Sequence, residues 1–252
     1  MQAQNSRRAS LVGVLLLAVI VGVALVSSKQ NALISFAQDP PEELALPIAD
    51  YDAPEPTGLE ERAKRQARNK RYDHHSGEAI REAPYPVERI WSAHWASELP
   101  TIPVSQSDVI LIGTVVDSQA YLSDDKTGVY SEFGIHVGEV LKGGLSIPII
   151  SAERFGGAVR FLSGVIQKYR ASGQGMPKHG RRYLFFLKKN DQDDDFSILT
   201  GYELRGEKIV PLDGSSQQGN ERLAFDSYKG VDVSSFLKTV RNAIIEGAVS
   251  SK

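Results

Sequence analysis

Residues 11–26 are sixteen consecutive residues without a charge or a strongly polar group, and Arg7 and Arg8 stand just before them. Such a run cannot be left in water and must enter a bilayer or a core. A signal-peptide apolar region spans about 7–15 residues and a membrane-crossing helix about 17–25. Ser27 and Ser28 extend the uncharged stretch, giving roughly 27 Å of helix against a hydrocarbon layer of about 30 Å. The sequence therefore predicts a single-pass anchor. The alternative is a cleaved signal peptide, for which Ser35-Phe36-Ala37 offers a small-x-small site, though far beyond the apolar run. In both cases Arg7 and Arg8 stay cytoplasmic and the bulk of the chain lies on the extracytoplasmic side, periplasmic or secreted if cleaved.

There is no cysteine in the 252 residues. That removes a lipid-modified cysteine, a disulfide framework, a thiol nucleophile and a cysteine metal cluster together. The exported part has to stand on core burial alone. The net charge of −2 implies no bulk attraction to nucleic acid or acidic lipid.

Proline and glycine divide the chain. Nine of the twelve prolines fall in residues 38–105, and seventeen of the twenty-two glycines in residues 107–230. The first pattern reads as a stiff spacer, the second as a body of strands and turns. The expected organisation is a cytoplasmic segment 1–10, an anchor or signal 11–28, a linker with short helices 29–106, a β-barrel domain 107–230 and a C-terminal helix 231–252.

Within the linker, Thr57-Gly-Leu-Glu60 matches a capping box and predicts a solvated helix over 60–71. It carries Arg62, Lys64, Arg65, Arg68, Lys70 and Arg71. Asp73-His74-His75 lacks a third ligand at a helical spacing and makes no metal site. A second helix is expected after Pro86, where Val87, Ile90, Trp91, His94 and Trp95 recur at helical spacing.

The body begins with a β-branched apolar run at 109–116, a buried strand. Residues 129–140 then alternate with period two, placing Phe133, Ile135 and Val137 on one face. Further strands are expected at 147–152, 158–162, 165–170, 183–187, 196–202 and 208–212. Val233, Phe236, Leu237, Val240 and Ile244 form one face of a closing helix capped by Asp232. Short strands at regular spacing with one terminal helix argue for a mainly β fold, a small closed barrel.

Three segments carry a resemblance: 107–115 (Ser-Asp-Val-Ile-Leu-Ile-Gly-Thr-Val), 130–143 (ending Val-Leu-Lys-Gly) and 180–187 (Gly-Arg-Arg-Tyr-Leu-Phe-Phe-Leu). The pattern resembles one in uncharacterised exported bacterial proteins. It is also similar to the netrin-like OB-barrel of the tissue inhibitors of metalloproteinases. The resemblance implies an OB or netrin-like barrel over roughly 107–212. The inhibitors' zinc-chelating mechanism does not carry over, because it needs an amino-terminal cysteine.

Two segments stand out as sites. Gly173 and Gly175, with Pro177, fix an unusual loop. Around them, residues 165–190 hold Lys168, Arg170, Lys178, Arg181, Arg182, Lys188 and Lys189 without an acid. Barrels commonly bind polymers across such a face. The competing reading is a solvated hairpin whose charges pair with Asp191, Asp193, Asp194 and Asp195. That acidic loop departs from a calcium loop at Phe196 and Tyr202, where glycine and glutamate are required. No cofactor or metal signature and no nucleophile–base set emerges, His136 and His179 having no identifiable partner.

The function expected is a membrane-tethered, non-catalytic binding module. Its ligand site is Lys168, Arg170, Gly173, Gly175, Lys178, Arg181 and Arg182. Its partner is an anionic glycan, lipid or protein rather than nucleic acid. The alternatives are a structural or assembly component of the cell envelope and an envelope hydrolase with an unidentified site.

Overall fold

The computed structural model describes residues 46–74, 77–91, 99–190, 195–214 and 224–250. The expected anchor at 11–28, His75, His94, Trp95, Asp191, Asp193 and Asp194 lie outside these residues. The described chain is mainly β, with 41% strand against 19% helix, and it ends in a helix.

Residues 46–91 supply strand β1 (Ile48–Asp50), helix α1 (Leu59–Arg71) and strand β2 (Glu88–Trp91). The body adds β3 (Val109–Leu122), β4 (Val129–Lys142), β5 (Ile149–Phe155), β6 (Gly157–Arg160), β7 (Ile166–Ala171), β8 (Arg182–Lys189), β9 (Phe196–Arg205) and β10 (Lys208–Pro211). A 3-10 turn at Ala224–Tyr228 and helix α2 (Val233–Ser250) complete it.

Two sheets form. The larger runs β10-β9-β5-β4-β3-β8, and β9 also pairs β8. It curls strongly, but the β5–β9 seam consists of only Ala152 with Phe196 and Glu153 with Ser197. The expected closed barrel is thus met as a curled sheet without closure. That seam, at two register pairs, is the shortest pairing in the sheet.

The apolar run of β3 is continuous because both of its faces are covered. Val109, Leu111 and Val115 enter the interior core with Phe133, Ile135, Tyr183 and Phe185. Ile110 and Ile112 enter a second core with Leu184, Phe186, Tyr202, Phe236 and Val240. Strand β8 alternates between the same two cores, with Tyr183, Phe185 and Leu187 on one side and Leu184 and Phe186 on the other. Helix α2 closes the second core, and Asp232 caps it by accepting the Ser235 N–H at 2.9 Å.

The smaller sheet has the order β1-β6-β7-β2. Strands β6 and β7 form a hairpin, and β1 and β2 add to its two edges in parallel. Residues well before 107 therefore complete this sheet. The helix expected after Pro86 is a strand over Glu88–Trp91. Helical spacing of apolar residues cannot register a free strand edge elsewhere in the chain, and that edge takes up the backbone groups here. A third core joins Ala49, Ile80, Val159, Phe161 and Tyr169 to Ala120 and Val129 at the far end of the β3–β4 hairpin.

Candidate functional site

From Tyr130 to His136 the even-numbered residues of β4 look outward from the interior core, and their cross-strand partners share that face. Three zones follow along it. At one end α2 covers Ile112 and Leu184. At the other α1 covers Tyr121, Tyr130 and Glu132. Between the helices lies a strip that no described residue covers.

The strip has one complete row. Arg182 stands opposite Thr114, Thr114 opposite His136, and His136 opposite Ile149, across β8, β3, β4 and β5. Arg182 and His136 are exposed, as is half of Ile149. The next row has a low floor: Gly134 faces Ser151, and a Cβ on Gly134 would meet the Asp117 Cβ at 3.2 Å. Val116 is 41% exposed beside it, and a ring nitrogen of His179 bonds the Val116 carbonyl at 2.9 Å. The arrangement offers an imidazole, a hydroxyl and a guanidinium along one line.

The residues singled out in the sequence divide among three places. Lys168 and Arg170 sit on β7 in the smaller sheet, facing Glu88 and Ile90 of β2. Arg170 pairs with Glu88 at 3.0 Å. Lys178, Arg181 and Arg182 gather where β8 enters the larger sheet. There the Lys178 N–H donates to the Tyr183 hydroxyl, and Arg181 lies 4.0 Å from Glu203. Gly173 and Gly175 belong to neither group.

Those glycines hold a structural clip. The Arg154 guanidinium donates to the Gly175 carbonyl at 2.8 Å, to Leu199 O at 3.2 Å and to the Asp213 carboxylate at 2.7 Å. Asp213 also accepts the Gly175 N–H and the Thr200 hydroxyl. Both charges are sealed, at 3% and 0% exposure. A Cβ on Gly175 would fall 1.9 Å from Leu212 O, so only glycine fits. The N–H and the carbonyl of Gly175 are both spent on the clip.

The basic helix is the larger departure from the sequence reading. Three of its cations are seated rather than solvated. Arg65, Arg68 and Arg71 share one face at a spacing of three. Arg65 pairs with Glu132, donates to the Tyr130 hydroxyl at 3.1 Å and lies 3.5 Å over the Tyr121 ring. Arg68 reaches Glu132 at 3.3 Å and Asp195 at 2.7 Å. Arg71 reaches Glu153 and Asp195, each at 2.8 Å. Asp195, expected to balance the basic hairpin, is taken by this helix instead. The cap also differs: Gly58 occupies it and no side chain bonds there.

Glu153 is the most perturbed carboxyl of the group. Burial pushes it up to about 7; Arg71 pulls against that rise and Asp195 adds to it. Burial also holds the Tyr72 and Tyr130 phenols well above their ordinary value. The sequence signal for this network was available as three arginines three apart. Their partners come from β4, β5 and the approach to β9, which no local pattern joins.

Among the described residues no group of three potential ligands could hold a metal ion. No described helix is long and apolar enough to cross a membrane. Comparison with protein-family models, curated proteins and solved structures finds no match.

Proposed function

We propose that the chain is a membrane-tethered, extracytoplasmic binding module of OB or netrin-like type that takes an anionic ligand without transforming it. The observation that supports this reading is the uncovered strip between α1 and α2, with Arg182, Thr114 and His136 in one row. Lys178 and Arg181 flank Arg182 where β8 begins, with Arg181 4.0 Å from Glu203. A sheet face bordered by two helices suits an extended ligand, whose anionic groups would meet a guanidinium, an imidazole and a hydroxyl in turn. The tether is the apolar segment 11–26.

A second reading has one observation of its own. Ile245 and Val249, one turn apart on α2, are 63% and 71% exposed. That apolar pair favours an assembly component of the envelope.

The test is retention of the full-length protein on a dextran sulfate matrix. Wild type is expected to bind and to elute with salt, since exposed charges are screened beyond about 8 Å at physiological ionic strength. The variant K178E/R181E/R182E is expected to flow through with an unchanged melting temperature. Binding equal to wild type would remove the strip from consideration.

A further inference from the structure

Helix α1 is held differently from every other described element. It buries none of its own residues. What joins it to the body is charge: Arg65, Arg68 and Arg71 on Glu132, Glu153 and Asp195. Asn69 adds one hydrogen bond, with the Tyr130 hydroxyl at 2.8 Å. No α1 residue is itself fully buried, and the apolar contacts beneath the helix are the Tyr121 ring under Arg65 and the ring of Tyr130. At thirteen residues, such a helix has marginal stability in water by itself, because isolated helices below about 12–15 residues rarely persist.

Both ends of α1 are anchored by other means. Before it, β1 pairs with β6, and Tyr51 stacks on Phe161 with ring centroids 4.9 Å apart. After it, Tyr72 stacks on Tyr130 at 4.3 Å, and the Asp73 carboxylate accepts the Asp125 N–H at 3.0 Å. The His74 N–H donates to the Thr127 hydroxyl, and Ile80 is buried with its N–H on the Lys126 carbonyl. Gly128 is required at this crossing, since a Cβ there would sit 2.3 Å from the Tyr72 carbonyl oxygen. The span between the anchors is an exposed segment, 52–58, followed by α1.

We infer that α1 is a salt-releasable strap: a helix fixed at both ends, clamped on a carboxylate row by three arginines, that lifts and melts when those ion pairs are screened. As a helix it spans about 20 Å, and extended it reaches about 44 Å. The slack lets it swing aside without disturbing either anchor. Release uncovers Tyr121 and Glu132 in rows continuous with Gly134 and Ser151, while Tyr72 stays stacked on Tyr130, so it lengthens the open strip and makes its far end more acidic. The strap thereby sets both the length and the charge of that face.

Hydrogen exchange of the full-length protein, followed by mass spectrometry from about 0.05 to about 0.5 M sodium chloride, tests this. The Debye length falls from roughly 14 to 4 Å over that range. Amides of 59–71 are expected to exchange at least about tenfold faster at high salt, while those of β3 and β8 are unchanged. The variant R65Q/R68Q/R71Q is expected to exchange fast in 59–71 at every salt concentration. The charge-preserving R65K/R68K/R71K is expected to recover part of the protection and its salt dependence. If protection of 59–71 ignores salt in wild type, or is lost only together with β3 and β8, the strap is an ordinary structural helix and the inference falls.

Discussion

Glu132 and Glu153 stand directly opposite each other on β4 and β5, with both carboxylates on the same face of the sheet. Like charges in that position destabilise a ladder. The arrangement persists because Arg65 and Arg68 sit on the first and Arg71 on the second. A helix from the N-terminal segment thus resolves a conflict built into the body.

The position of Glu153 makes stability depend on pH in a stated direction. Its carboxyl is held at about 7 against an ordinary 4.5. The folded chain therefore binds this proton more tightly than the unfolded chain. The contribution is complete below about 4.5 and is lost as pH rises through about 7, a difference of roughly 3 kcal/mol. Urea unfolding between about pH 5 and pH 8 is expected to show wild type losing stability relative to E153Q. Parallel curves for the two proteins would refute this assignment.

The clip between Arg154 and Asp213 is a buried ion pair with its remaining groups satisfied. Asp213→Asn leaves the guanidinium charge uncompensated and is expected to cost about 3–5 kcal/mol. Replacing both residues together with leucine should cost less than the single change, because no charge remains buried. Chemical denaturation of the three variants checks the order. A D213N protein as stable as wild type would mean that the pair is solvated.

Phe133 and Ile149 separate the two faces of the large sheet. Phe133 is wholly buried in the interior core, and its replacement by alanine is expected to cost about 3–5 kcal/mol. Ile149 is 51% exposed on the strip, so Ile149→Ala is expected to stay within about 0.5 kcal/mol. Thermal melts of both variants decide the assignment, and a reversal of the two values would place the wrong face inside.

Export is tested by topology. A reporter that fluoresces only in the cytoplasm, fused after Lys252, is expected to remain dark, and the full-length protein to stay with carbonate-washed membranes. A bright fusion would overturn the extracytoplasmic reading.

Much of the body was legible along the chain. The period-two run at 129–140 placed Phe133 and Ile135 in the core, and both are fully buried. Each strand from β3 to β10 was anticipated to within a few residues, apart from the outer part of β3. The Asp232 cap and the apolar face of α2 were equally visible. These are local matters: side-chain alternation, helical period and capping chemistry act between residues a few positions apart.

Tertiary structure decided the rest. Whether 88–91 became helix or strand depended on the free edge of β7, some eighty residues away. Whether Arg65, Arg68 and Arg71 were solvated or seated depended on three carboxylates, from β4, β5 and the approach to β9. The basic segment 165–190 was continuous in sequence, yet the fold sent Lys168 and Arg170 to one sheet and Arg181 and Arg182 to the other. Composition and periodicity determined which segments become strands and which faces they bury. Hydrogen-bonding edges and unpaired charges are satisfied by whatever the chain brings near, so their partners are settled only when the whole chain has folded.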